Sequence, residues 1–307
     1  KSKFPSLYDN EFNKKIYENN EFNKYKYESK SNNKSVFFEK FTYQKFLRRF
    51  MSKDTPYNGL LIYHGVGVGK SCSAISIVEE FKEIYKYNKN NIYVINPNNQ
   101  LQESFKKEIF NIDKEENKGL LQNVQCTGNS YTDKYKKINL DEKKRKKEKE
   151  KEIDMLINEY YSFLTLGKKI PKYYINQVNI NKKNINKKKI ISFNKQFNKK
   201  IKNIKRDFSN KIIICDEIHE YRIDEEEITK INRNGKNVGE IKKISQLLKN
   251  IARYAVNTKF VLLSATPIFD NYTEIEFILN LLLVNDNRAP IQKSKIFKRN
   301  GEISEKF

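Results

Sequence analysis

Gly59-Leu60-Leu61-Ile62-Tyr63-His64-Gly65-Val66-Gly67-Val68-Gly69-Lys70-Ser71 runs without a break from an apolar segment into a glycine-rich turn. The first five residues read as a buried strand, and Ser73 to Tyr87 reads as a helix. A glycine-rich turn between a strand and a helix is the setting of a phosphate-binding loop. Glycine lets backbone N–H groups turn inward toward phosphate oxygens, and the helix N-terminus adds a favourable dipole. His64, Gly65, Val66, Gly67, Val68, Gly69, Lys70 and Ser71 are therefore the candidate ATP-binding residues. Lys70 is expected to reach the β- and γ-phosphates and the Ser71 hydroxyl to ligate Mg²⁺. His64 stands where a strict loop of this type has its first glycine.

Further along, two more clusters fall at the ends of apolar runs. Asp216-Glu217-Ile218-His219 follows Lys211-Ile212-Ile213-Ile214-Cys215. Asp216 is placed to hold Mg²⁺, and Glu217 to orient or deprotonate an attacking water. His219 is placed to sense the γ-phosphate. Ser264-Ala265-Thr266 follows Phe260-Val261-Leu262-Leu263 and is expected to couple the carboxylates to a second motor domain. Acidic pairs are common in loops, and Ser-Ala-Thr is a weak tripeptide by itself. The order of the three clusters, each after an expected strand, makes the constellation. Both histidines of the chain lie inside it. Gln44 lies upstream where an adenine-reading glutamine would sit, or is an exposed helix residue. Asn96-Pro97-Asn98 and Thr127-Gly128-Asn129 line a nucleic-acid track, or are plain turn chemistry.

The remaining pattern alternates. Phe37 to Met51, Leu101 to Phe110, Ile241 to Tyr254 and Glu274 to Leu283 read as helices; Ile92 to Ile95 and Val124 to Cys126 read as strands. Apolar strands alternating with helices imply an α/β fold, a mostly parallel sheet covered by helices on both faces. Residues 1–35 read as a loosely ordered or accessory arm, 36–290 as the ATP-binding domain and 291–307 as a linker to a second motor domain. Residues 133–152 carry a mixed charge run, read as a solvated helix or disordered insertion. Residues 168–208 are a Lys/Asn/Ile stretch read as an expanded surface loop.

The formal net charge is +23. That suits a polyanion partner, but Lys, Asn, Ile, Tyr and Phe also share AT-rich codons, so the charge alone decides little. The three cysteines, Cys72, Cys126 and Cys215, are far apart with no CxxC spacing. This argues against a disulfide framework and a zinc site, and fits a reducing, intracellular compartment. No apolar run is long enough to span a bilayer. The chain begins with Lys1, which reads as a fragment or a processed chain.

Thr55-Pro56-Tyr57-Asn58-Gly59 through Gly65, then Gly69-Lys70-Ser71-Cys72-Ser73-Ala74-Ile75, resemble superfamily 2 DExH ATPases and helicases of large cytoplasmic DNA viruses. That group includes the poxvirus early transcription factor small subunit and nucleoside triphosphatase I; helicases of yeast cytoplasmic linear plasmids are similar. Cys126-Thr127-Gly128, Asp216 to His219, Leu263 to Pro267 and Leu279 to Asp286 carry the same resemblance. It implies a RecA-like P-loop domain, Mg-ATP hydrolysis stimulated by DNA, and a role in viral transcription beside a viral-type RNA polymerase or transcription factor subunit, in host cytoplasm or virion. The chain departs from the group in its basic insertions and in Ser71, where Thr is frequent. No Gln-x-x-Gly-Arg-x-x-Arg pattern, the usual source of an arginine finger, is present, so little ATPase activity is expected of the chain alone. The rival readings are a generic DExH RNA helicase and a non-hydrolysing initiation or scaffold subunit that uses ATP as a switch.

Overall fold

Five short strands build the sheet: β1 (Gly59–Tyr63), β2 (Ile92–Asn96), β3 (Tyr161–Thr165), β4 (Ile212–Cys215) and β5 (Lys259–Ser264). In this computed structural model they lie in the order β1-β5-β4-β2-β3 and run parallel. The register is explicit around β5, which pairs Gly59↔Phe260 through Tyr63↔Ser264 on one side and Ile212↔Lys259 through Cys215↔Leu262 on the other. Every residue of β4 and β5 is buried. Ile-Ile-Ile-Cys and Lys-Phe-Val-Leu-Leu-Ser therefore behave as strands covered on both faces, as parallel sheets require. The expected α/β class with a mostly parallel sheet is what the structure shows.

The structure describes residues 3–26, 42–65, 67–82, 91–117, 125–139, 145–165, 174, 187–222, 238–268 and 275–292. The chain divides into two compact units. One comprises 1–57, 66–92 and 100–162; the other comprises 58–65, 93–99 and 163–307.

The first unit carries α1 (Phe12–Glu18), α2 (Asn20–Asn23), α3 (Thr42–Phe50), α4 (Lys70–Glu79), α5 (Asn99–Ile109), α6 (Ile112–Glu116), α7 (Thr132–Asn139) and α8 (Lys146–Asn158). The described part of the N-terminal arm is not loose. Phe4, Phe12 and Phe22 pack against Phe46, Phe50 and Tyr57, with Phe50 stacked on Tyr57 at 4.3 Å. Arg49 pairs with both Glu21 and Asp54 and so ties the arm to α3. Packing of six aromatic rings, with Phe4, Phe22 and Tyr57 buried, outweighs the polar composition of this stretch. The mixed charge run at 133–152 is helical where it is described, with Tyr135 of α7 and Ile153 and Ile157 of α8 turned inward. Residues 125–126 form a turn rather than the expected strand, and the third strand in chain order is Tyr161–Thr165 instead. Cys72 and Cys126 form a disulfide with their Cα atoms 5.2 Å apart, so the reading against a disulfide is corrected. Folding brings together residues that sequence spacing had set 54 apart.

The second unit adds α9 (Lys187–Phe208), α10 (Val238–Tyr254) and α11 (Ile275–Asn285). In α10, Ile244, Leu247, Leu248, Ile251 and Ala252 form one apolar face. They join Ile204 and Phe208 of α9, Ile278 and Leu281 of α11, and the sheet in one core. Each such aliphatic side chain contributes roughly 1.5–3 kcal/mol on burial. The low-complexity stretch is thus partly core: its 187–208 portion is a 22-residue helix, not a surface loop. Residues 168–173 and 175–186 lie outside the described residues. At the end of α11, Asn285 Nδ2 donates to the Thr258 and Asn58 carbonyls at 2.9 and 3.3 Å, pinning the helix to the chain leading into β5 and β1. Among the described residues, no helix is long and apolar enough to cross a membrane.

Candidate functional site

In the first unit, the glycine-rich turn delivers Lys70 to the first position of α4. Gly67 and Gly69 both take positive φ, 81° and 83°. An L side chain is strained in that conformation, so the sequence spends glycine there. Space adds a second reason at Gly69, where a Cβ would meet Gln44 Nε2 at 3.0 Å. Gln44 donates through that nitrogen to the Gly69 carbonyl at 3.3 Å, and the Tyr43 hydroxyl donates to the Val68 carbonyl. Ser73 Oγ donates to the Gly69 carbonyl as well, at 2.9 Å. A trans peptide points its C=O and the following N–H in opposite directions. The Val68 carbonyl meets Tyr43 of α3, so the Gly69 N–H turns away from α3; the Gly69 carbonyl accepts the Ser73 N–H at 2.9 Å as the first backbone bond of α4, so the Lys70 N–H points out of the N-terminus of that helix.

Gln44 is 2% exposed, which removes the exposed-helix alternative. Tyr43 is the residue that sequence reasoning missed. Its signal was its place beside Gln44 on the helix preceding the loop. Burial raises the pKa of its phenol, so it remains a donor at neutral pH. Val66 lies outside the described residues; His64 and Gly65 continue from β1 in the second unit.

In the second unit, β4 ends at Cys215 and places Asp216 against the end of β2. The Asp216 N–H donates to the Ile95 carbonyl at 2.9 Å, and Asn96 Nδ2 donates to Asp216 Oδ2 at 3.2 Å. Asp216 is 7% exposed and Asn96 is fully buried. The Asn96 side chain thus serves the carboxylate and not a nucleic-acid track. Its Oδ1 is buried with no hydrogen-bond partner among the described residues. Burial beside Asp216 pushes the Cys215 thiol well above its ordinary pKa, so it is no nucleophile at neutral pH.

Glu217 adopts a left-handed backbone, φ 47° and ψ 56°. Such strain in a residue other than glycine persists only where its surroundings hold it. Here the following 3₁₀ turn, Ile218–Tyr221, is anchored by buried Ile218 and Tyr221. That turn aims His219 at the end of β5. His219 Nδ1 lies 3.0 Å from Ser264 Oγ and 3.5 Å from Glu217 Oε2. Ser264 Oγ also accepts the Thr266 N–H at 3.0 Å. The second and third sequence clusters therefore touch through His219 and Ser264. In the first unit, Thr127 is buried and donates to the Ile109 carbonyl at 2.9 Å, so its hydroxyl belongs to a turn.

Among the described residues, no group of three or more His, Cys, Asp or Glu could hold a metal ion. A hydroxyl and a carboxylate are hard oxygen donors. Each is of a donor type that Mg²⁺ accepts; Ser71 belongs to the first unit and Asp216 to the second.

No protein-family model matches the chain. It is similar to two proteins of Acanthamoeba polyphaga mimivirus, each provisionally named an ATP-dependent RNA helicase. One is 29% identical over 243 residues, covering 79% of this chain and 32% of that protein. The other is 27% identical over 261 residues, covering 83% and 20%. A provisionally named helicase of Invertebrate iridescent virus 3 is 28% identical over 280 residues, covering 85% and 22%. The chain spans between a fifth and a third of the length of these relatives. The likeness is to helicases of large DNA viruses, without singling out the poxvirus transcription proteins. It supports a helicase-type ATPase domain on this parallel α/β sheet.

Proposed function

We propose that the chain is the ATP-binding motor domain of a DExH-type, nucleic-acid-dependent ATPase that acts on DNA in viral-type transcription. The observation that carries this reading is the loop at the head of α4. Two positive-φ glycines, the Tyr43 bond to the Val68 carbonyl and the Ser73 N–H bond to the Gly69 carbonyl turn the Gly69 N–H away from α3 and the Lys70 N–H out of the N-terminus of α4. That is what a phosphate cradle needs. In this reading Lys70 places its charge beside the transferred phosphoryl group and Ser71 and Asp216 hold Mg²⁺, which neutralises phosphate charge when bound. Glu217 orients and deprotonates the attacking water. His219 and Ser264-Ala265-Thr266 relay the state of the site, which the His219–Ser264 contact supports. Gln44 reads the base or, as its bond to Gly69 suggests, braces the loop. The partners are a nucleic acid and a viral-type polymerase or transcription factor subunit.

A second reading, an RNA helicase, is favoured by the names of the two mimivirus relatives. Steady-state ATP turnover in the full-length protein separates the two. DNA is expected to stimulate it more than RNA, and Glu217→Gln to bind ATP yet lose turnover by at least about 100-fold. Stronger stimulation by RNA transfers the assignment to the second reading, and parental turnover in Glu217→Gln removes Glu217 as the base.

A further inference from the structure

Cys72 follows Ser71 directly, so the Cys72–Cys126 bridge lands in the turn of α4 that begins the phosphate loop's helix. Cys126 is held on both sides. Gln125 accepts the Asn111 N–H at 3.0 Å and donates to the Asn111 carbonyl at 2.8 Å, and Thr127 donates to the Ile109 carbonyl. The turn carrying Cys126 is thereby fixed to the junction of α5 and α6. The two Cα atoms are within the range a disulfide needs. We propose that Cys72 and Cys126 form a reversible dithiol–disulfide site, whose oxidant is a small-molecule disulfide such as oxidised glutathione and whose closure holds the phosphate loop in its binding form. The second half of this proposal rests on the reading of residues 64–71 as an ATP loop.

One of the two cysteines, after giving up its proton, attacks the small disulfide, displaces one thiolate and forms a mixed disulfide. The other, its Cα atom 5.2 Å away, gives up its proton in turn, attacks the sulfur of the first and releases the second thiolate. In sum two protein thiols and one small disulfide become one protein disulfide and two small thiols. Excess reduced thiol drives the same steps backward. Cys72 and Cys126 are 5% and 6% exposed, so exchange is slower than at a surface thiol.

Reduction removes a cross-link between positions 54 apart and frees the turn next to Lys70 and Ser71. The test equilibrates the chain across ratios of reduced to oxidised glutathione. Bridged peptide is measured by alkylation and mass spectrometry, and melting temperature and affinity for a fluorescent ATP analogue are read on the same samples. The oxidised chain is expected to show the Cys72–Cys126 peptide, to melt roughly 5–10 °C higher and to bind nucleotide about fivefold or more tightly. Cys72→Ser and Cys126→Ser should each match the reduced parent and ignore the oxidant. Lys70→Ala should still form the bridge while losing nucleotide. Absence of the bridged peptide at every ratio overturns the proposal. So does equal affinity of oxidised and reduced parent when Lys70→Ala abolishes binding. If Lys70→Ala binds nucleotide normally, the ATP-loop reading fails instead, and the bridged peptide and melting shift still judge the dithiol site.

Discussion

Lys259 opens β5 with its ammonium buried, 3.4 Å from Asn58 Oδ1. Burial lowers its pKa to about 8, against the favourable charge of Asp286. The unfolded chain holds that proton up to about pH 10.4. Between pH 8 and 10 the unfolded state therefore binds more protons than the folded one, and this group's contribution to stability rises with pH. Below pH 8 the burial penalty is complete. Lys259→Met is expected to stabilise the protein at pH 7 by on the order of 2 kcal/mol and to lose that advantage toward pH 10. Urea midpoints of parent and variant at the two pH values check it; an advantage that grows with pH contradicts the sign. Asn96 is the second residue whose replacement is informative. Asn96→Ala takes the donor from a buried carboxylate oxygen of Asp216 and should cost about 1–3 kcal/mol. It should also raise the Mg²⁺ concentration needed for nucleotide binding. An unchanged urea midpoint and Mg²⁺ requirement would mean that the contact does not position Asp216.

At the scale of elements, α9 separates what composition hides from what it reveals. Lys195, Lys199 and Lys202 lie at i, i+4 and i+7 and are exposed, while Ile204 and Phe208 enter the core. Deleting 187–208 would uncover that core, so substitution is the usable test of the basic charge. Lys195→Glu, Lys199→Glu and Lys202→Glu together should leave the melting temperature within a few degrees, because the three side chains are solvated. They should reduce the log–log salt slope of DNA binding by about one to three. An unaltered slope would assign these lysines to codon composition. The helix was written in the sequence, as Ile190, Phe193, Phe197, Ile201, Ile204 and Phe208 recur every three or four residues, but the Lys/Asn/Ile composition around them hid that period. β3 was missed because only Tyr161 and Thr165 at its ends are buried, which leaves no run and no alternation. By contrast β1, β2, β4 and β5 were legible, since each is a compact apolar run bounded by turn residues. The strand–loop–helix signal at 59–79 is local, and local chemistry survives in sequence. The Cys72–Cys126 bridge is a tertiary fact, and spacing alone does not encode it.

For the whole molecule, the candidate residues divide between the two units: Tyr43, Gln44 and residues 67–71 belong to the first, and Asp216 to His219 with Ser264 to Thr266 belong to the second. Each set is internally bonded, through Gln44 and Gly69 in one and through His219 and Ser264 in the other. The net charge of +23 favours a polyanion without naming it. The relatives' names point to helicases and share the ATP requirement in two of three cases. The account rests on the loop being a phosphate site, and that is tested most directly by an equilibrium titration of the chain with a fluorescent ATP analogue, with and without Mg²⁺, beside Lys70→Ala. The account predicts Mg²⁺-dependent binding in the parent and affinity at least about tenfold lower in Lys70→Ala at an unchanged melting temperature. Equal affinity in the parent and Lys70→Ala would contradict it.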